Sequence, residues 1–124
     1  MTTSFPYSYD YQPPAPVVTV TVRWRDQQVT LSALVDSGAD ATMLPAGILQ
    51  RIGAEYVESR RVRGISGIAY TADLYTVILQ IGPYEVAGVR VVSLRQNSEA
   101  IIGRDMLNQL IMTLDGIGGV VEVS

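Results

Sequence analysis

Residues 33–40 read Ala-Leu-Val-Asp-Ser-Gly-Ala-Asp, and this stretch decides how the rest of the chain is interpreted. The apolar run that ends at Val35 is typical of a buried strand, and Asp36 follows it directly. Ser37 and Gly38 then predict a tight turn. A buried carboxylate without a partner is costly, so we expect Asp36 to be held by hydrogen bonds or by another charged group.

The composition leaves few other groups that perform catalysis. The chain of 124 residues contains no histidine and no cysteine, and all nine basic residues are arginines. These absences exclude Ser-His-Asp and Cys-His systems, catalytic lysines, disulfides, and zinc sites built from cysteine or histidine. Aspartate, glutamate and tyrosine remain for acid–base work. No Asp-x-Asp-x-Asp loop is present, and we expect no metal and no other cofactor.

Charge and hydropathy restrict the partners. The formal net charge is −3, and no basic run is longer than Arg60-Arg61-x-Arg63, which argues against nucleic acid as a partner. No apolar run approaches the roughly 18 residues of a membrane span. Residues 1–16 lack the basic and apolar regions of a signal peptide. We therefore expect no membrane partner, and cytoplasmic residence is the default.

The chain divides into two parts. Residues 1–16 hold four of the six prolines and three of the seven tyrosines, which predicts a flexible, extended arm. The arm is either a plain tail or a segment that docks on the body or is cleaved from it. Residues 17–124 are predicted to be one mostly β domain, because period-two alternation and turn signals recur along them. Residues 45–52 are a possible short helix, and residues 104–110 are the best helix candidate.

Three segments could together form one site around a carboxylate. The first is the turn at Asp36. The second is Gly64-Ile65-Ser66-Gly67, whose glycines predict a hairpin tip that closes over a ligand. The third is Ile101-Ile102-Gly103-Arg104-Asp105, an apolar strand that would brace the turn, followed by an arginine able to pair with a carboxylate.

These segments resemble the parts of one protein family, the retroviral-type aspartic proteases (retropepsins). Residues 33–40 are similar to the family's active-site strand and turn, and residues 62–68 are similar to its flap. Residues 101–114 are similar to its second apolar-apolar-Gly element, helix and dimer-contact strand. The resemblance implies an all-β fold, a closed acid-protease barrel with one short C-terminal helix that functions as a twofold homodimer. We favour a non-viral, cellular or bacterial member.

The resemblance also implies a mechanism that one copy of this chain cannot perform. An aspartic protease holds one water between two carboxylates that share a single proton. This chain has a single Asp-Ser-Gly, and Asp115-Gly116 lacks the hydroxyl residue. The second aspartate would therefore come from a second copy, with the site on the twofold axis.

Site residues follow from the same resemblance. Asp36 would be catalytic, and Ser37, Gly38 and Ala39 would support it. Arg104 would form a structural ion pair with the aspartate at position 40. The residues implied to bind substrate are Leu34, Asp40, Met43, Val62, Gly64, Ile65 and Ile101.

The expected activity is endopeptidase cleavage of extended, largely apolar segments of a peptide or protein substrate. Two alternatives stay open at this point. One is a non-catalytic dimeric module that binds peptides or supports assembly with the same fold. The other, weaker alternative is a metal site built from carboxylates.

The chain departs from the viral pattern in three places. Residues 12–17 contain no arginine to pair across the dimer, as viral members have there. Residues 115–124 extend the chain, and a hairpin there would replace or reshape the interleaved terminal sheet of the viral enzymes. Ala39 stands where many aspartic proteases have a hydroxyl residue, so the charged carboxylate loses a hydrogen-bond donor.

Overall fold

The fold was analysed in a computed structural model, which describes residues 2–63, 67–95 and 98–124. Strands dominate these ranges, and two short helices interrupt them. The strands are β1 (Thr3–Pro6), β2 (Val17–Trp24), β3 (Gln27–Val35), β4 (Met43–Pro45), β5 (Glu55–Arg63), β6 (Ala69–Ile81), β7 (Tyr84–Leu94), β8 (Ile101–Ile102), β9 (Met112–Asp115) and β10 (Val120–Val123). The helices are α1 (Ala46–Arg51) and α2 (Arg104–Leu107).

The larger sheet closes into a barrel. Its strand order is β2-β3-β8-β4-β7-β6-β5, and an additional pairing joins β6 back to β2. Closure removes the free edges that an open sheet would expose, and it leaves β5 as an extension alongside β6. The structure therefore confirms the predicted closed barrel.

Period-two alternation fills the barrel interior. Val18, Val20 and Val22 of β2 are fully buried, whereas the residues between them are exposed or half-buried. Successive side chains of a strand point to opposite faces, so every second position of β2 enters the core. The same alternation on β6 buries Val77 and Leu79. Ala33 of β3 and Ile102 of β8 are buried in the same core, which fixes the two strands that lead to the Asp36 turn.

The N-terminal segment differs from the flexible arm predicted for residues 1–16. Thr3–Pro6 forms β1, which pairs antiparallel with β10 of the same chain. A bridge joins Ser8 and Ala15, and Phe5 packs against the main core. Docking on the body was one of the two alternatives for this segment. Composition could not decide between them, because proline content reports local stiffness, whereas β1 is ordered by backbone hydrogen bonds to a distant strand.

The closing sheet contains three strands of one chain, in the order β1-β10-β9. The hairpin expected within residues 115–124 is present, because β9 and β10 pair antiparallel. β10 lies between β9 and the N-terminal strand β1, so the chain builds its terminal sheet from its own residues.

Two short helices are present where the fold class anticipated one C-terminal helix. α1 lies within the possible helix 45–52, and Gly53, with φ of 67°, follows its end. α2 ends at Leu107, three residues before the predicted end at position 110. Beyond Leu107 the backbone N–H of Gln109 donates to Met106, a tighter turn than the α-helix. This turn redirects the chain into β9.

Candidate active site

The turn at Asp36 begins where β3 ends. The Asp36 backbone N–H donates to the carbonyl oxygen of Ile102 at 3.0 Å, which ties the turn to β8. The Asp36 side chain is half-buried, and its Oδ1 accepts a hydrogen bond from the Gly38 N–H at 2.9 Å. A Cβ at position 38 would lie 3.1 Å from that oxygen, tighter than most real contacts. Glycine therefore lets the backbone approach the carboxylate.

The start of α2 braces this turn from behind. The Arg104 N–H donates to the carbonyl oxygen of Ala39 at 2.9 Å. Its guanidinium donates from Nη1 to the Ser37 carbonyl oxygen at 2.7 Å and forms an ion pair with Asp40 through Nη2. The planar fork of arginine suits this double contact, because its donors keep a fixed geometry. Arg104 and Asp40 are thus paired as the resemblance implied.

Gly103 makes the brace sterically possible. A Cβ on Gly103 would lie 2.6 Å from the backbone of Ala41, closer than any real Cβ contact. The backbone of Gly103 is in an ordinary extended conformation, so the requirement for glycine comes from the close approach and not from φ.

A second carboxylate, Asp105, holds the far end of the turn. Its two oxygens accept the backbone N–H of Thr42 at 3.1 and 3.0 Å, and Oδ1 also accepts the Thr42 hydroxyl at 2.8 Å. Thr42 is 0 % exposed, and its hydroxyl oxygen accepts the N–H of Gly103 at 3.2 Å. Every polar group of this contact is therefore paired, as buried polar groups require.

Sequence reasoning assigned no role to Asp105 or Thr42. Asp105 follows Arg104 directly, and Thr42 lies 63 residues away from it along the chain. The one available signal was a polar threonine directly before the apolar start of β4. That signal does not identify a partner.

Cross-strand register brings several predicted substrate residues into one row. Leu34 of β3 lies opposite Ile101 of β8, and Ile101 lies opposite Met43 of β4. Directly paired residues point to the same face of a sheet, so these side chains share one side of the barrel wall. Met43 and Val62 pack against the same small cluster, which has Val92 among its buried members. The row forms an apolar strip beside the Asp36 turn.

A cavity of about 360 Å³ adjoins the Leu34 end of this strip. Its lining comes from the N-terminal segment, from β2 and β3, and from the loop before β8, as Ser8, Asp10, Tyr11, Val17, Ser32, Ala33, Leu34 and Glu99. Burial, the hydrogen bond to Glu99 and the negative charges of Glu99 and Asp10 raise the pKa of Tyr11 to about 12. Each of these effects favours the neutral phenol, so Tyr11 remains a hydrogen-bond donor.

The arms of the predicted flap are β5 and β6, which pair antiparallel up to the contact of Arg63 with Ala69. Arg63 donates from Nη1 to the Gly67 carbonyl oxygen at 3.1 Å across the end of this hairpin. The predicted flap-tip residues Gly64 and Ile65 lie outside the described residues. Their roles stay predictions, as do the catalytic and binding roles of the other site residues.

In residues 2–63, 67–95 and 98–124, no three acidic side chains are arranged to hold a metal ion. No helix in the same ranges is long and apolar enough to cross a membrane.

A closed barrel that ends one strand in Asp-Ser-Gly, with a Gly-Arg-Asp segment braced against that turn, defines the retropepsin-like aspartic protease fold. The sequence model of one family, described as gag-polyprotein putative aspartyl protease, matches residues 20–109. The chain belongs to this family, and its function is of the aspartic-protease type.

Comparison with solved structures gives the same fold. The protease of EIAV, solved in complex with the inhibitor HBY-793, superposes with a TM-score of 0.64 and is 19 % identical in sequence. The match covers 85 % of this chain and 93 % of that one. A search of curated proteins found no match.

Proposed function

We propose that this chain is an aspartic endopeptidase of the retropepsin type, active as a homodimer with one Asp36 from each copy. The presentation of Asp36 carries the proposal. Its Oδ1 is held by the Gly38 N–H, and among the described residues nothing donates to its Oδ2. A half-exposed carboxylate with one oxygen held and one available is suited to bind a water.

The reaction needs two such groups. Two carboxyl groups at hydrogen-bonding distance are not both ionised, because their like charges would repel. The two Asp36 carboxylates would therefore share one proton. The ionised carboxylate takes a proton from the water, and the protonated one donates to the scissile carbonyl oxygen. The water oxygen bonds to the carbonyl carbon, the C–N bond then breaks, and the leaving amine receives a proton.

The neighbouring residues would position this pair. The Ser37 carbonyl is occupied by Arg104, while its exposed side chain remains available to donate across the axis to the other turn. Gly38 is exposed and would offer its carbonyl oxygen to the substrate backbone. Asp40 is tied to Arg104 at the edge of the turn, beside Ala39. A misplacement of about 1 Å can reduce a rate about 100-fold, so the brace matters for activity.

The substrate proposed is an extended, largely apolar peptide segment. The apolar strip of Leu34, Ile101 and Met43 runs beside the turn, and Val62 packs near Met43. An extended peptide presents alternate side chains to such a strip, while its backbone groups supply affinity through hydrogen bonds. Gly64 and Ile65 would close over the bound segment.

A peptide-library digest read by mass spectrometry tests the proposal. The wild type should cleave, and Asp36→Asn should lose all measurable cleavage because it cannot take a proton from the water. Asp26→Asn is the matched control, since Asp26 is exposed in the turn between β2 and β3. The dimer fraction of each variant is measured alongside. Equal cleavage by Asp36→Asn would refute the catalytic assignment.

The same experiment addresses the alternative of a non-catalytic peptide-binding module. Peptide binding by the wild type without any products would favour that module. Products whose formation a pepstatin-type inhibitor blocks would favour the endopeptidase. The metal alternative predicts that chelators abolish cleavage, whereas the endopeptidase should be insensitive to them.

A further inference from the structure

The cavity of about 360 Å³ lies one side-chain step from the Asp36 turn. Ser32 and Leu34 of β3 both line it, and side chains two positions apart on a strand point to the same face. Asp36 follows β3 directly and its N–H still donates to β8, so it continues this series about 6.6 Å further on. The cavity therefore lies beside the carboxylate at the spacing of same-face side chains in an extended peptide.

Backbone hydrogen bonds hold the N-terminal wall of the cavity in place. Ser8 and Ala15 exchange both N–H···O bonds, at 2.9 and 3.1 Å, which closes the segment between them into a loop. The Val35 N–H donates to the carbonyl oxygen of Pro16 at 3.0 Å and ties the end of this loop to β3. The residues before the loop form β1, which is paired with β10. Because the wall is fixed at both ends, a ligand does not have to order it on binding.

Negative charge is concentrated on the cavity wall. Asp10 of the N-terminal loop and Glu99, two residues before β8, both line the cavity. Of the residues that the structure describes, no arginine lines it with them. The ion pairs in the same part of the chain involve other carboxylates, so neither Asp10 nor Glu99 is neutralised by a partner there.

Tyr11 fixes the position of Glu99. Its phenol hydrogen-bonds to the Glu99 side chain and so joins the N-terminal loop to the segment before β8. Burial, this hydrogen bond and the nearby negative charges raise the pKa of Tyr11 to about 12, so the phenol stays protonated as the donor. A carboxylate has more acceptor positions than one phenol uses, and Glu99 therefore keeps positions for a ligand.

A basic side chain matches both kinds of lining. Val17 and Leu34, paired across β2 and β3, offer apolar surface to its aliphatic stem. Asp10 and Glu99 offer acceptors to its charged head. Both carboxylates are exposed, which spares the head a full loss of hydration. The planar guanidinium of arginine can donate to several carboxylate oxygens at once.

We propose that this cavity is a substrate subsite that selects arginine or lysine at the position flanking the scissile bond, through Asp10 and Glu99. The inference rests on the proposed function, because it takes Asp36 as the group that cleaves beside the cavity. It narrows the proposed substrate to a largely apolar segment that carries a basic residue at the cleavage point. In a twofold homodimer each copy supplies one such subsite, so the selection applies on both sides of the scissile bond.

A pair of peptides tests this selection. They share a sequence cleaved in the library digest and differ only at the flanking position, which is arginine in one and norleucine in the other. The ratio of their kcat/KM values should favour arginine by about tenfold. Glu99→Gln and Asp10→Asn should each lower this ratio, because they remove charge and keep side-chain size. The amide oxygen of Glu99→Gln can still accept from Tyr11, so that contact is retained.

The matched control is Glu55→Gln. Glu55 is an exposed glutamate at the start of β5 and does not line the cavity. This variant should keep the wild-type ratio.

Two further measurements separate recognition of charge from a structural role of Glu99. Raising the salt concentration should lower the wild-type ratio, because the screening length falls from about 30 Å at 0.01 M to about 3 Å at 1 M. Glu99→Arg should reverse the preference, so that a peptide with glutamate at the flanking position is cleaved faster than one with arginine. A substitution that only loosened the loop would weaken cleavage of every peptide and leave the ratios unchanged.

Binding measurements separate this result from the proposed function. Dissociation constants of the two labelled peptides are measured by fluorescence anisotropy on Asp36→Asn, alone and combined with Glu99→Gln. Tighter binding of the arginine peptide that Glu99→Gln abolishes, with no cleavage by the wild type, supports the subsite and refutes the endopeptidase. Cleavage without a preference for basic residues, or a ratio that neither carboxylate variant changes, refutes the subsite and leaves the endopeptidase standing. Absence of both cleavage and binding refutes both.

Discussion

Replacing Thr42 by valine removes one hydroxyl and keeps the branched shape of the side chain. That hydroxyl donates to Asp105 at 2.8 Å and accepts the N–H of Gly103 at 3.2 Å, in a place where Thr42 is 0 % exposed. A hydrogen bond to a charged group contributes about 1.5–3 kcal/mol, and a buried N–H left without a partner costs about 1–3 kcal/mol. We expect Thr42→Val to lower the free energy of unfolding by about 3 kcal/mol.

Such a loss is large for a domain of this size. Domains are typically stable by about 5–15 kcal/mol, and a change of about 3 kcal/mol lowers Tm by on the order of 10 °C. Cleavage activity should fall further than the folded fraction does, because the turn that carries Asp36 loses part of its brace.

Urea unfolding at one fixed protein concentration measures the effect, since the proposed dimerisation would make stability depend on concentration. Thr21→Val is the matched control, because the Thr21 hydroxyl bonds to the Thr30 hydroxyl at 3.1 Å in an exposed place on the surface. The control should change the free energy by no more than about 0.5 kcal/mol. If Thr42→Val destabilises by less than about 1 kcal/mol, or by no more than Thr21→Val, the account of the brace is wrong.

Three further predictions concern the same region. Gly103→Ala should destabilise by about 3 kcal/mol in urea unfolding, because its Cβ would meet backbone at 2.6 Å, while Gly116→Ala, with open space around it, should have little effect. The wild type should lose stability between pH 10 and 12 through Tyr11, and Tyr11→Phe should not show this part of the loss. The raised pKa of about 12 keeps the phenol protonated in the folded state while the unfolded chain ionises, so stability is full below pH 10 and falls up to pH 12; equal urea midpoints in both proteins across that range would contradict this. Ala39→Ser should move the acidic limb of the pH–rate profile to lower pH, because a hydroxyl can donate to the charged Asp36 carboxylate; an unmoved limb would count against a role for residue 39.

Much of the fold was predictable from local patterns. Alternation of valines marks β2, and Gly82-Pro83 marks the turn between β6 and β7. An apolar lead-in followed by Asp36-Ser37-Gly38 predicts the strand and turn that the structure contains. These features were recognisable because side-chain period and turn chemistry act over a few neighbouring residues.

The contacts between distant segments were not predictable in the same way. The pairing of β1 with β10 joins the two ends of the chain, and Thr42 meets Asp105 across 63 residues. Neither contact has a local signature, because a strand or a buried polar group requires a partner without specifying which one. The parallel register of β3 and β8, which places Leu34 beside Ile101, depends on the same choice of partners.

The amino-acid sequence by itself therefore determined the carboxylate at position 36 and the turn that presents it. Tertiary structure alone decided which residues hold that turn and which distant strands pair with one another. The physical reason is that element type follows from short-range backbone and side-chain preferences. Which distant segments pair depends on burying apolar surface and on pairing the polar groups of the whole barrel at once.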